Sequence, residues 1–266
     1  MEILEIVGYL GALLVGVVLG LIGGGGSILT VPVMVYLFSL NPIIATGYSL
    51  FVVGISALVG AIRNIKKKLV DFKTAFIFAT PAFISVYLTR RFVLPALPEN
   101  LLVIDGFTLT KDIAIMLFFA LVMLAASITM ISNKKPEPEI GIKVAYNYPL
   151  IIIQGIFLGF VTGAVGAGGG FLIIPALVLL AKLPMKKAVA TSLLIIAINS
   201  LIGFTGDIAT LNIDWKFLLT FTAISIIGIF IGIKLNSFVN GKKLKKGFGW
   251  FVLLMGIYIF YKEFSN

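Results

Sequence analysis

The chain of 266 residues contains no cysteine and no histidine. The first absence excludes disulfides, thiol relays and cysteine-ligated iron–sulfur centres. The second excludes His-based catalytic triads and, with the first, most zinc sites and haem ligation. Only carboxylates and backbone oxygens remain as metal ligands, so no metal and no cofactor are expected. Charge is also scarce, at 12% of residues, where a soluble domain carries about a quarter. No G-x-x-x-x-G-K-[ST] loop occurs, so the chain is not expected to hydrolyse ATP by itself. Glu2 and Glu5 precede the first apolar run, with neither a basic n-region nor a small-residue cleavage site. That run is therefore expected to stay in the protein rather than be cleaved as a signal peptide.

What the chain has in excess is apolar residues, at 60%. At about 20 residues per membrane-spanning helix, that composition allows about eight spans and little else. A net charge of +10 would suggest nucleic acid in a soluble protein. In a membrane protein it reflects cytoplasmic loops rich in Lys and Arg, and no nucleic-acid partner is expected. Uncharged apolar runs fall at 6–22, 27–38, 43–62, 74–92, 113–131, 148–165, 171–181, 188–206, 217–233 and 247–261. This predicts an all-α, polytopic membrane helix bundle. The runs at 27–38 and 171–181 are too short to cross a hydrocarbon core about 30 Å thick, so the crossings number eight or ten. Every charged residue except Glu5 and Arg90 falls outside or at the edge of these runs, and those two lie close to run ends where they could snorkel. No ionisable side chain is therefore expected in mid-membrane, and no carboxylate proton relay.

Shifted by 143 residues, the two halves align without a gap: between 16–60 and 159–203, 17 of 45 positions are identical. The matches include Gly20/Gly163, Gly23/Gly166, Gly25/Gly168, Gly26/Gly169, Pro32/Pro175 and Ser49/Ser192, and the same shift pairs Asp71-Phe72-Lys73 with Asp214-Trp215-Lys216. Glycine, proline and serine matches in one register indicate duplication. The units are 1–132 and 148–266, each of about five helical segments, joined by a polar, Pro-rich linker at 133–147. Equivalent loops carry opposite charge bias. The 63–73 loop holds Arg63, Lys66, Lys67, Lys68 and Lys73, whereas 206–216 holds Asp207 and Asp214 against Lys216. With both termini outside, 16 of the 21 Lys and Arg lie on the cytoplasmic side. The positive-inside rule and the odd segment count thus predict inverted-topology repeats, an architecture frequent among secondary transporters.

Each repeat is predicted to break a long helix at a glycine cluster, Gly23-Gly24-Gly25-Gly26 and Gly166-Ala167-Gly168-Gly169-Gly170. Non-helical backbone survives at membrane depth only inside protein or beside water. Successive glycine amides, with the positive ends of the short helices that follow near Ser27 and Phe171, would suit a small anion. Pro32 and Pro175 would act as bends or hinges in those short helices. Tyr48, Ser49, Ser56, Thr191, Ser192, Asn199 and Ser200 on the third segment of each repeat could complete the shell. The competing reading is close helix packing for the glycines and backbone bonding for the hydroxyls. Asp71 and Asp214 stand where N-caps are expected, and Arg63 could draw anions to a cytoplasmic mouth.

The doubled motif, Gly20-Leu21-Ile22-Gly23-Gly24-Gly25-Gly26-Ser27 with Pro32 and Gly163-Ala164-Val165-Gly166-Ala167-Gly168-Gly169-Gly170 with Pro175, resembles the signature of the TauE/SafE sulfite exporter family. Ala190-Thr191-Ser192-Leu193 and Ile213-Asp214-Trp215 are similar to that family too. The resemblance covers roughly residues 6–262 and implies a multi-pass permease of the cell membrane for sulfite, organosulfonates or related small anions, mostly for export. The first repeat departs from it at Gly47-Tyr48-Ser49, where Thr-Ser would be usual. The expected partners are a small anionic substrate and the lipid bilayer, with a coupling ion (H+ or Na+), the direction of transport and the oligomeric state left open. An anion channel on the same architecture is the alternative. An enzyme is not expected, because no acid–base set is available.

Overall fold

The computed structural model describes residues 3–104, 107–132, 148–166, 169–170, 173–174, 177, 181, 183–208, 210–236 and 241–265. Gly168, Pro175 and the 133–147 linker lie outside the described residues. The chain is mostly helical. Helix α1 (Ile3–Ile22) is followed by a 3-10 turn (Gly24–Leu29), α2 (Thr30–Leu37), α3 (Pro42–Lys66) and α4 (Phe72–Ala96). After a hairpin come α5 (Lys111–Ser132), α6 (Tyr148–Val165), α7 (Met185–Asp207), α8 (Trp215–Leu235) and α9 (Gly241–Ser265). Among the described residues, six helices are long and apolar enough to cross a membrane: α1, α3, α4, α5, α7 and α8. This is a polytopic helical membrane protein.

The expectation of an all-α chain needs one correction. Asn100–Ile104 (β1) and Phe107–Thr110 (β2) pair antiparallel, with Ile104 opposite Phe107. Both runs are rich in β-favouring residues, and the Asp105-Gly106 dipeptide between them is a strong hairpin signal. So short an alternating pattern is inconspicuous beside long apolar runs.

The helices begin where local chemistry supplies caps. Asn41 Oδ1 accepts from the Ile43 amide at 2.9 Å, with Pro42 in the first turn. Asp71 Oδ1 accepts from the Thr74 amide at 2.9 Å, and Asp214 Oδ1 from the Phe217 amide at 3.0 Å, so both aspartates are N-caps as the sequence indicates. Helix α4 carries Pro81 in its interior and turns π-helical at Thr89–Val93.

Glycine sets how closely these helices approach. In the pair α1–α8, a methyl group on Gly16 would strike the Ser225 carbonyl, one on Gly20 the Ile229 carbonyl, one on Gly228 the Leu13 carbonyl and one on Gly232 the Val17 carbonyl. In the pair α4–α6, Gly155 lies on Pro81, Gly159 on the Ala82 carbonyl and Gly163 on Thr89 and Val86. Small residues at every fourth position let two backbones meet where lipid offers no hydrophobic drive for association. The Gly16–Ser225 and Gly159–Ala82 contacts are equivalents at the 143-residue shift. Helices α3 and α7 run antiparallel, with Gly47 against Asp207, Gly54 against Leu201 and Gly60 against Leu193. The outer faces present Leu10, Phe157, Ile153 and Leu254, all more than half exposed, as lipid contact requires.

Replacing Gly232 with Leu should overpack the α1–α8 contact by about 1–3 kcal/mol and lower the melting temperature of the purified protein by about 3–10 °C. Gly247→Ala, where a Cβ would meet nothing within 4 Å, should leave it unchanged.

Candidate functional site

Helix α1 stops at Ile22 because Gly23 turns to φ 75°, and α6 stops at Val165 because Gly166 turns to φ 73°. These are equivalent positions in the duplication, and both adopt a left-handed backbone that residues with a Cβ adopt only at a cost. Gly169 follows at φ 64°, packed so that its α-carbon faces the Thr162 hydroxyl.

The two breaks meet. A methyl group on Gly24 would collide with the Gly170 backbone, and one on Gly170 with that of Gly24. Each break also lies against the other half's third long segment. Gly23 faces Val189 and the Ser192 hydroxyl on α7, while Gly166 faces Thr46 on α3. Positions 46 and 189 are again equivalents, so the arrangement is reciprocal.

After the first break the chain does not stay open. Gly24–Leu29 winds as a 3-10 helix and passes into α2 at Thr30, later than the Ser27 start expected from sequence. The Ser27 hydroxyl donates to the Gly24 carbonyl at 2.7 Å inside that turn. The change from 3-10 to α geometry falls just before Pro32, which sits buried in the first turn of α2, where the missing amide costs least. The amides of Gly24, Gly25 and Gly26 open the turn without a helical partner. After the second break, Gly170, Ile173, Ile174 and Leu177 are helical among the described residues, and the Ile173 amide donates to the Gly169 carbonyl at 3.1 Å.

The polar residues divide by what they bond. Thr191 Oγ1 accepts from the Asp71 amide at 3.0 Å, and the Tyr48 hydroxyl accepts from the Asp214 amide. Residues 48 and 191 are equivalents, as are 71 and 214, so each hydroxyl anchors the start of the other half's helix. Thr191 thus has a structural partner on its oxygen. Ser192 donates to the Val189 carbonyl at 2.8 Å, and Ser56 to the Ser225 hydroxyl at 3.1 Å. Ser49 Oγ, Thr30 Oγ1, Ser200 Oγ and Asn199 Oδ1 are buried without a hydrogen-bond partner. Leaving such a group unmatched costs about 1–3 kcal/mol.

Sequence reasoning missed Thr30 and Thr162, which lie outside the segments it searched, and Thr46, one turn before Ser49 on α3, and it misread Arg90. That side chain does not snorkel: it is 0% exposed, with Nη1 3.3 Å from Oδ2 of Asp207, itself 6% exposed. An ionisable pair therefore sits inside the bundle, contrary to expectation. The signal was Arg90 standing inside an apolar run. What could not be seen was a carboxylate from another helix brought to meet it.

Both glycine motifs lie within the stretch that comparison with known proteins matches. The family model described as sulfite exporter TauE/SafE matches residues 9–259. The chain belongs to this family. A probable membrane transporter protein of Xylella fastidiosa (strain Temecula1 / ATCC 700964) is 29% identical over 95% of this chain and 94% of its own length. The probable membrane transporter protein YunE of Bacillus subtilis (strain 168) is 27% identical over 88% of each chain. A probable membrane transporter protein of Methanocaldococcus jannaschii, MJ0441, is 37% identical over 42% of this chain and 44% of its own. No solved structure matches the chain. The TauE/SafE member described here is thus a multi-pass membrane transporter and not an enzyme.

Thr191→Val and Tyr48→Phe each strand a backbone amide at a helix start. Each should cost about 1–3 kcal/mol, read as a lowered melting temperature. For Thr191→Val, unchanged substrate preference would mark the hydroxyl as an anchor, and a changed preference as a ligand.

Proposed function

We propose that this TauE/SafE transporter is a secondary permease for a small oxyanion, sulfite or an organosulfonate, working by alternating access between two inverted repeats. It would reside in the cell membrane with both termini outside. The observation that carries the reading is the meeting of the two breaks, Gly24 on Gly170, each pressed against the opposite half. Two helix starts converge there, and backbone N–H groups and positive helix ends both favour an anion. Discontinuous helices at a repeat interface are where secondary transporters hold substrate.

Three further observations support the inverted arrangement. Helices α3 and α7 are equivalents at the 143-residue shift, yet they run antiparallel. The α1–α8 and α4–α6 contacts repeat at the same shift. The hydroxyl-to-amide anchors at Tyr48 and Thr191 are exchanged between the halves. The units are accordingly 1–132 and 148–266. Gly23, Gly24, Gly25, Gly26, Gly166, Gly168, Gly169 and Gly170 would form the floor of the site, with Ser27, Ser49, Ser192 and Asn199 around it and Pro32 and Pro175 as hinges. Of these, Ser49 and Asn199 hold buried oxygens without a partner, which supports their assignment to a solute's shell.

Purified full-length protein in proteoliposomes should show saturable uptake and counterflow of at least one of sulfite, sulfate, thiosulfate, methanesulfonate or acetate. A channel gives no counterflow. Gly25→Leu and Gly168→Leu should abolish that flux while the protein still inserts, and full activity in both would remove the site from consideration. The orientation is read separately, using the absence of native cysteine. A lone cysteine at Lys68→Cys should be shielded from impermeant maleimide in whole cells, whereas one at Asn212→Cys should react.

A further inference from the structure

Arg90 and Asp207 are not part of the glycine site as drawn, yet they adjoin it. Thr89, the neighbour of Arg90, packs on Gly163, one turn before the second break; Thr46 packs on Gly166 at the break itself, and the next residue, Gly47, packs on the Asp207 carboxylate. The pair therefore flanks the second break, joined to it on both sides through single neighbours. The guanidinium is also underused. Nε, Nη1 and Nη2 have no hydrogen-bond partner, and Asp207 Oδ2 at 3.3 Å is close enough for an ion pair but not aligned for a hydrogen bond. Gly206 lies against the Arg90 Cβ and Gly47 against Asp207, and neither has a side chain that could satisfy the remaining donors. A buried ion pair with unmet donors does not recover its desolvation cost. Such a group persists where something else occupies those donors for part of its working cycle.

The duplication shows that the architecture does not require the pair. At the equivalent positions stand Asn64, whose side chain donates to the Gly60 carbonyl at 2.9 Å, and Ile233, which is buried and apolar. Neither equivalent position carries a charge. The backbone at Arg90 is also irregular, within the π-helical stretch Thr89–Val93, a distortion that recurs at functional sites.

We infer that Arg90 is the charge-recognition residue for the transported anion, and that a small oxyanion takes the place of Asp207 on its guanidinium during passage. This rests on the anion-transport reading above and deepens it. The planar fork of an arginine matches two oxygens of a sulfite, sulfonate or carboxylate group. Asp207 holds the charge while the site is empty and sets the affinity by competition.

Sulfite binding to the purified full chain, with sulfate, methanesulfonate and acetate alongside, tests the assignment. Asp207→Asn removes the competitor at constant shape and should tighten oxyanion binding about tenfold. The neutral double variant Arg90→Gln/Asp207→Asn should abolish binding yet still melt cooperatively. Should the double variant fail to fold, Arg90→Lys keeps the charge without the fork and should weaken binding about tenfold. If native protein binds an oxyanion and these substitutions leave its affinity unchanged, the pair is a structural strut and the inference is overturned while the anion reading stands. If neither native protein nor Asp207→Asn binds any of the four anions, the anion reading fails and the inference with it.

Discussion

A helix can be interrupted at membrane depth only where neighbouring protein supplies both the hydrogen bonds and the space that regular helix would have supplied. Glycine makes this possible here. At Gly23 and Gly166 it permits a backbone turn of positive φ, and at Gly24 and Gly170 it lets two interrupted chains touch backbone to backbone. The same residue, at Gly16, Gly20, Gly228 and Gly232, brings α1 and α8 together. That contact holds α1 in place up to the point where it breaks. Close helix contact and helix interruption are therefore one device, and the position of every polar group near the breaks depends on it.

The second consequence is interdependence of the halves. Neither break is enclosed by its own repeat alone: Gly23 lies on α7 and Gly166 on α3. Neither aspartate-capped helix start is anchored within its own half either, since the Asp71 amide meets Thr191 and the Asp214 amide meets Tyr48. The two hydroxyls are chemically different but occupy one role. This explains why Gly47-Tyr48-Ser49 can depart from the Thr-Ser of the second half without loss of architecture. Tyrosine and threonine both offer an oxygen that accepts from a backbone amide. A pattern search on residue type sees a mismatch where the structure has a conserved bond between positions.

The frame was legible in the chain because its signals are local or periodic. Apolar runs, cap residues such as Asp71 and Asp214, and the glycine clusters each act within a few residues of themselves. The duplication extended that legibility, because an element recognised once is recognised twice. Three features are not legible in the chain. The β1–β2 hairpin is too short to register among long apolar runs. The 3-10 turn Gly24–Leu29, in which the Ser27 hydroxyl bonds the Gly24 carbonyl, depends on where the first break folds back. Arg90 was assigned to the lipid interface, since a charge near the end of an apolar run usually snorkels. Its burial follows from Asp207, a residue of another helix, and no pattern within α4 announces it.

Arg90 also shows what duplication leaves free to vary. A contact that holds the frame, such as Gly16 on Ser225, has its counterpart at the 143-residue shift in Gly159 on Ala82. The Arg90–Asp207 pair has none: Asn64 bonds its own helix and Ile233 packs against apolar neighbours. Requirements of packing act on both halves alike, so what differs between equivalent positions is released from that requirement. A buried charge is costly to keep and simple to lose by mutation. Its presence at one of two equivalent places, beside the break and with donors unmet, therefore belongs to what passes through the protein rather than to what holds it together.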